Sequence, residues 1–157
     1  MLRPVGLTPS QVEFFYNDYE QASLLADAFD SQLSRDALAA SGQDYLSIVS
    51  LAARQAFAGV EFSNTSGNTL VFLKEISSHG NAQTVDVIFP FHPLTIYTNS
   101  NVLKWMLDPL LINQESGHWP NTFSIHDLGS SFPNATGHNN GADESMYLHS
   151  VHRETLC

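Results

Sequence analysis

Cysteine and basic residues are both scarce in this chain. Its single cysteine, Cys157, is the last residue, so an intramolecular disulfide is impossible and a positioned catalytic thiol is not expected. Six Lys and Arg stand against sixteen Asp and Glu, which gives a formal net charge of -10. Such a charge opposes a phosphate backbone and an anionic membrane surface, so nucleic acid is not an expected partner.

Long hydrophobic runs are also missing. No run approaches the roughly 20 apolar residues that span a bilayer, so we expect no membrane anchor. The first residues contain no apolar core of signal-peptide length, and any export signal is expected outside this sequence. No Gly-x-Ser-x-Gly elbow supports an activated serine. With 157 residues and no repeat of fixed period, one domain is predicted.

Helical patterns dominate the first sixty residues. Ser10-Gln11-Val12-Glu13 fits a capping box and predicts a first helix over about residues 11–32. A second helix is expected to begin at Asp44 and to end near Gly59. The polar Ser/Gly segment between them indicates a helical hairpin. The residues expected in the core are Phe14, Phe15, Tyr16 and Tyr19 of the first helix and Tyr45, Ile48, Val49, Ala52 and Ala56 of the second.

The next fifty residues mix strand and helix signals. Residues 69–76, "TLVFLKEI", favour a short strand. Pro90 and Pro93 predict an extended, bent segment over residues 84–98. Asn99 or Ser100 should begin a third helix, kinked near Pro109, with the apolar face Val102, Leu103, Met106, Leu107, Leu110 and Leu111. These elements predict a mainly α fold with a short β element.

The stretch "HDLGSSFPNATGHNNGADE", residues 126–144, combines turn-forming residues with histidines and carboxylates. Gly, Asn and Pro favour irregular backbone, and loops on a rigid scaffold often carry functional groups. We predict Asp127 or Asp86 as a general base with His126 beside it. Asp127 could instead be a turn or cap aspartate.

Further residues are candidates for substrate binding. His138, Asp143 and Glu144 belong to the same loop, although His138 could be an exposed turn histidine and the acidic pair could be merely solvated. Lys74 could pair with a substrate carboxylate, or form a surface ion pair with Glu75. His92, between Phe91 and Pro93, is expected to be packed.

Metal binding and glycosylation are two further possibilities. His126, Asp127, His138 and Asp143 are competent ligands for zinc or calcium. Because no His-Glu-x-x-His spacing supports a zinc site, neither a metal nor another cofactor is predicted. Asn64-Thr65-Ser66 and Asn134-Ala135-Thr136 fit the N-glycosylation acceptor pattern.

Three segments carry a family resemblance: "DYLSIVSLAARQAFAGVEF", "KEISSHGNAQTVDVIFPFHPLTIYTNSNVLKWMLDPLL" and the loop of residues 126–144. From about Phe14 to Glu144 the chain resembles the central part of fungal secreted glutaminases of the glutaminase A type. The resemblance implies a partial α/α toroid like that of six-hairpin glycosidases. It also implies a secreted hydrolase that releases ammonia from glutamine, a small-molecule substrate.

Two departures from that family shape the expectations. Its members are several times longer, and after Glu144 the sequence "SMYLHSVHRETLC" replaces the family's paired glutamates. We therefore divide the chain into a glutaminase A-like region, residues 1–144, and a divergent tail, residues 145–157, which indicates a truncation or frameshift. The chain alone is expected to have weak or absent activity, and its sequence does not indicate an oligomeric state.

Two other functions stay open at this point. A glycoside-processing enzyme on the same scaffold would use two carboxylates roughly 5 to 10 Å apart and aromatic platforms such as Trp105 or Trp119. A non-catalytic fragment would leave apolar helix faces exposed.

Overall fold

The computed structural model describes residues 8–65, 67–75, 80–130 and 134–142. In chain order it contains helices α1 (Pro9–Asn17) and α2 (Tyr19–Ala58), strands β1 (Val60–Thr65) and β2 (Asn68–Leu73), and helices α3 (Val85–Thr98) and α4 (Ser100–Glu115). The predicted mainly α class with a short β element is confirmed.

The chain divides into two compact units, residues 1–55 and 56–157. Among the described residues, no helix is both long enough and apolar enough to cross a membrane. The predicted binding residues Asp143 and Glu144, and the tail that follows them, lie outside the described residues.

The first helix begins earlier than predicted, because Thr8 rather than Ser10 is its cap. Thr8 Oγ1 accepts from the Gln11 backbone N–H at 3.3 Å, and Gln11 Oε1 accepts from the Thr8 N–H at 2.8 Å. Pro9 occupies the first helical position, where its missing N–H costs nothing. The regular backbone of α2 is interrupted at Ser41 and Gly42, where a break before the second helix was predicted. The predicted end of the first helix near residue 32 is wrong, because helix α1 ends at Asn17 and the helical backbone then continues from Tyr19 to this interruption.

The predicted burial of the aromatic stripe is wrong. Phe14, Phe15, Tyr16 and Tyr19 are 71% to 82% exposed. In α2, Tyr45, Ile48 and Ala52 are exposed and Val49 is half-buried, whereas Ala56 packs against the core as predicted and the fully buried side chains are those of Ala37 and Ala53. Helical periodicity identifies an apolar face, but it does not say which surface covers that face.

The hydrophobic core lies in the second unit. β1 and β2 form an antiparallel hairpin in which Val60 pairs with Leu73 and Thr65 with Asn68. β2 contacts α4, and α3 contacts the same helix. The buried cluster consists of Val71, Leu73, Ala82, Ile88, Phe91, Val102, Met106, Leu110, Trp119, Ile125 and Leu128. The predicted strand is confirmed, although it ends at Leu73 and its partner β1 was not assigned from sequence.

The segment that contains Pro90 and Pro93 is helical, so the predicted extended conformation is wrong. Because Pro93 has no N–H, the Phe89 carbonyl lacks the donor that a helix normally supplies four residues later. The His92 ring contacts this carbonyl instead, with 2.8 Å between Nδ1 and the oxygen. Thr95 Oγ1 donates to the His92 carbonyl at 2.7 Å. The His92 side chain therefore offsets part of the cost of Pro93.

The third predicted helix is confirmed as α4. Asn99 is its cap, with Oδ1 accepting from the Asn101 N–H at 3.1 Å. The predicted apolar face is buried at Val102, Met106 and Leu110, but Leu111 is exposed. Pro109 lies inside the helix and is buried.

One fully buried polar side chain, Gln83, connects β2 to α4. Its Oε1 accepts from the Leu73 N–H, and its Nε2 donates to the carbonyls of Val71 and Met106. The backbone of Gln83 has a φ of 59°, a region that L-residues seldom adopt. The three bonds make this side chain a polar connection through an otherwise apolar core.

Candidate acid–base site

The polar loop is attached by backbone hydrogen bonds to the segment that leads into α3. The Val85 N–H donates to the His126 carbonyl at 2.9 Å, and the Leu128 N–H donates to the Ala82 carbonyl at 2.8 Å. The Ala82 N–H in turn donates to the Gly129 carbonyl at 3.0 Å. Residues 126–129 therefore lie beside the first turn of α3, on the packed part of the molecule.

The later part of the loop returns to the same place. The Gly137 N–H donates to the Leu128 carbonyl at 3.0 Å, which places His138 beside Asp127. Residues 116–130 and 134–142 contain no helix or strand. The predicted irregular backbone of this stretch is confirmed for the residues that the structure describes.

Asp127 is the centre of the site. It is fully buried, and each carboxylate oxygen accepts two hydrogen bonds. Oδ1 accepts from the Gly129 N–H at 2.6 Å and from His138 Nε2 at 2.7 Å. Oδ2 accepts from Asn81 Nδ2 and from His126 Nδ1, both at 3.1 Å. Four donors thus converge on one carboxylate.

These donors determine the charge of Asp127. Burial by itself raises the pKa of a carboxyl group, but the hydrogen bonds from His126, His138 and Gly129 outweigh it and lower the Asp127 pKa to about 2. The side chain is therefore ionised at neutral pH. An ionised carboxylate only accepts hydrogen bonds, so His126 must carry a proton on Nδ1 and His138 a proton on Nε2.

Asp86 extends the cluster to the surface. It lies in the first turn of α3, and its Oδ1 is 3.7 Å from His126 Nε2. The Asp86 side chain is 72% exposed, whereas that of His126 is 13% exposed. The His126 ring therefore has a carboxylate on each side, one buried and one open to solvent.

The structure thus brings together four of the residues predicted from sequence, in the spatial order Asp86, His126, Asp127 and His138. Lys74 pairs with Ala82 in an isolated β-bridge, and its side chain is exposed. Whether any of these residues acts on a substrate stays a prediction.

Sequence reasoning missed Asn81 and the Gly129 N–H. Asn81 is buried, and its backbone carbonyl accepts from the Glu75 N–H at 2.9 Å, which holds the side chain in position. A Gly-Asn dipeptide at residues 80–81 indicates only a turn. Nothing in the local sequence pointed to a contact with Asp127, which lies 46 positions further along the chain.

Among the described residues, no group of three or more His, Cys, Asp or Glu side chains could hold a metal ion. Both histidines direct one ring nitrogen at Asp127. Asp143, the fourth ligand considered from sequence, lies outside the described residues.

The depressed pKa of Asp127 predicts a loss of stability in acid. Above about pH 5 the carboxyl is ionised in both folded and unfolded chains, and its lowered pKa in the folded chain contributes about 2 kcal/mol of stability, net of the cost of burial. As the pH falls from about 5 towards 2, the unfolded chain takes up the proton first, so most of this contribution disappears. Urea unfolding at pH 6, 4, 3 and 2 measures it. Asp127→Asn should show a shallower pH dependence over this interval, and equal slopes would contradict the assignment.

Replacement of Gly137 by alanine should destabilise the loop that holds His138. Gly137 has a φ of 68°, and an added Cβ would lie 2.6 Å from Asn113 Nδ2. Gly117→Ala is a matched control, because Gly117 has a φ of 79° and nothing within 4 Å of the added Cβ. The positive φ should cost about 1 kcal/mol in both variants, and the clash should add about 1 kcal/mol at Gly137 only. Equal free energies of unfolding for the two variants would show that Asn113 moves aside freely.

Comparisons with known proteins place this mainly α chain in a class of helical-hairpin domains. The family model described as "Glutaminase A six helical-hairpin domain" matches residues 42–151. The chain belongs to this family.

Two fungal relatives are similar over most of the chain. "Glutaminase A" of Aspergillus oryzae is 50% identical over 137 residues, which cover 87% of this chain and 20% of the relative. "Probable glutaminase/05536" of Arthroderma benhamiae is also 50% identical over 137 residues, covering 87% of this chain and 16% of the relative. The chain therefore spans a fifth or less of the length of these relatives. No solved structure matches it.

Proposed function

We propose that this chain carries the acid–base site of a glutaminase-type amide hydrolase, which converts L-glutamine and water to L-glutamate and ammonia. The observation that carries the proposal is the buried, ionised Asp127 between two imidazoles. The names of the two fungal relatives supply the substrate class, a small molecule with a side-chain amide.

Asp127 acts through its neighbours in this proposal. Its burial and its four donors leave no lone pair open to a substrate, and a pKa of about 2 makes it a weak base. The geometry therefore favours a positioning role for Asp127 over the base role considered from sequence. By accepting from both rings it fixes the tautomer and orientation of His126 and His138.

His126 is the proposed proton carrier. Carboxylate oxygens lie on both sides of its ring, 3.1 Å from Nδ1 and 3.7 Å from Nε2. The imidazole would take a proton from the attacking water as the water oxygen bonds to the amide carbon. The same proton would then pass to the departing nitrogen as the carbon–nitrogen bond breaks, releasing ammonia. His138, held by the other oxygen of Asp127, is proposed to bind substrate.

The glycoside alternative is less well supported. A glycosidase needs one carboxylic acid with a raised pKa to protonate the leaving group, whereas the pKa of Asp127 is lowered. Trp119, considered as a sugar platform, is only 4% exposed, and its Nε1 donates to the Phe123 carbonyl at 2.6 Å. Trp105 packs against the core.

Localisation follows the same family argument. We propose that the chain belongs to an extracellular protein, because it belongs to the glutaminase A family and resembles fungal members of that family.

The proposal is tested with the purified, monodisperse 157-residue chain. The assay measures the release of ammonia and L-glutamate from L-glutamine, and aryl glycosides serve as comparison substrates. The absolute rate is expected to be low, because the chain spans a fifth or less of its relatives. His126→Gln should reduce the rate on the order of 100-fold, the usual contribution of a general acid–base group. His118→Gln is the control, because His118 is exposed and contacts Ser116 rather than Asp127.

Two results would contradict the proposal. Sugar release without ammonia release would favour the glycoside alternative. If a folded chain released no ammonia, and L-glutamine left the ring resonances of His126 and His138 unshifted in NMR spectra, the chain would be a non-catalytic member of the family.

A further inference from the structure

The two N-glycosylation acceptor patterns found in the sequence lie in different structural settings. In the first, Asn64 belongs to β1 and pairs with Thr69 of β2. In the second, Asn134, Ala135 and Thr136 are all exposed and lie in irregular backbone. A glycan is bulky and hydrophilic, so it requires an asparagine that faces solvent in the folded protein.

We propose that Asn134 is an N-glycan acceptor in this chain. The backbone there is free of helix and strand, so the acceptor segment can adopt the turn that brings the threonine hydroxyl to the asparagine amide. Within the described part of the chain, neither the Asn134 amide nor the Thr136 hydroxyl is used in a hydrogen bond. Modification would therefore break no side-chain interaction described here.

Asn64 lies in a different backbone setting. Its strand forms a hairpin with only residues 66 and 67 between the paired Thr65 and Asn68, and hairpins of this kind close within about 1–10 μs. Ribosomes add only about 5–20 residues per second, so the hairpin can close repeatedly while the chain is still emerging, and packing of β2 against α4 then stabilises it. Strand pairing holds the backbone of Asn64 extended, which opposes the turn that modification needs.

The anchor at Gly137 fixes where a glycan on Asn134 would begin. The Gly137 N–H is bonded to the Leu128 carbonyl, and Asn134 is four residues before His138. Four residues of extended chain span at most about 14 Å. The Cα atom of Asn134 therefore lies within this distance of the Cα atom of His138, so the glycan would begin in the neighbourhood of the proposed acid–base site.

This inference rests on the extracellular localisation proposed above. The full 157-residue chain, placed behind a cleavable secretory leader, is translated with microsomes and analysed by gel mobility with and without endoglycosidase. We expect the chain to migrate more slowly on the gel unless endoglycosidase has been added, and we call this difference in migration the mobility step. It should be lost in Asn134→Gln and in Thr136→Ala, and it should be retained in Thr136→Ser, which keeps the hydroxyl.

Asn64→Gln is the matched control and should leave the step unchanged. Enzymatic release of the glycan in heavy-oxygen water, followed by mass spectrometry, should label residue 134. Loss of the step in Asn64→Gln, or its persistence in Asn134→Gln, would overturn the proposal. Absence of any step, while a known glycoprotein is modified in the same reaction, would overturn it as well. The readout requires no catalysis, so it is independent of the glutaminase proposal.

Discussion

Replacement of Asp127 by asparagine should lower the free energy of unfolding by about 3 kcal/mol, the usual effect of removing one partner from a buried charged network. The carboxamide offers one acceptor oxygen and one donor group to four converging donors. The Gly129 N–H cannot reverse its polarity, so the amide oxygen should face it. The new NH₂ group would then oppose Asn81 and His126.

The same variant should change the protonation of His126. To relieve the opposed donors, the ring should lose its proton from Nδ1 and keep one on Nε2, the wrong tautomer for accepting a proton from water. Urea unfolding measures the stability, and the ¹⁵N chemical shifts of the ring report the tautomer. Asp108→Asn is the matched control, because Asp108 forms a helix-surface pair with Lys104 at 2.6 Å that should contribute less than about 1 kcal/mol.

An unchanged His126 tautomer in Asp127→Asn would contradict the positioning role, even if the stability fell as expected. Equal losses of stability in Asp127→Asn and Asp108→Asn would contradict the buried network itself.

Replacement of Gln83 by leucine should lower the free energy of unfolding by about 3 kcal/mol. Leucine fills a similar volume but leaves the Leu73 N–H and the Val71 and Met106 carbonyls without their side-chain partner. Each buried group left unpaired costs about 1–3 kcal/mol. Denaturant unfolding followed by circular dichroism measures the effect.

Gln21→Leu provides the comparison for Gln83→Leu, because Gln21 is exposed on α2. It should change the stability by less than about 0.5 kcal/mol. A Gln83→Leu variant as stable as Gln21→Leu would show that water or neighbouring groups replace the lost bonds. Gln83→Glu tests the donor separately, because its carboxylate cannot donate to Val71 or Met106 when ionised.

Local signals were sufficient where the physics is local. The Asn99 cap and the apolar spacing from Val102 to Leu110 predicted α4, because a cap and a buried stripe both act within a few residues of chain. The prediction for the α3 segment was wrong because its conformation depends on contacts beyond the local sequence. Pro90 and Pro93 oppose a helix locally, but packing of Ile88 and Phe91 in the core and the contact of His92 with Phe89 favour it.

In the candidate site, too, the local sequence predicted some features and the tertiary structure determined others. The composition of residues 126–144 was enough to single out His126, Asp127 and His138, because histidine and carboxylate are rarely needed in a plain turn. Their roles were not predictable. Whether Asp127 is an exposed base or a buried positioning group depends on the donors around it, and Asn81 is distant in the sequence.

The sequence by itself determined the mainly α class, the break near Gly42, the third helix and the irregular polar loop, because each depends on residue types within one or two turns of chain. Tertiary structure alone decided the exposure of Phe14, Phe15 and Tyr19, and the burial of Asp127 under four donors. Burial depends on which segments meet across the fold. Charge state and tautomer follow from burial and hydrogen bonding, so the chemistry of this site is a property of the folded chain.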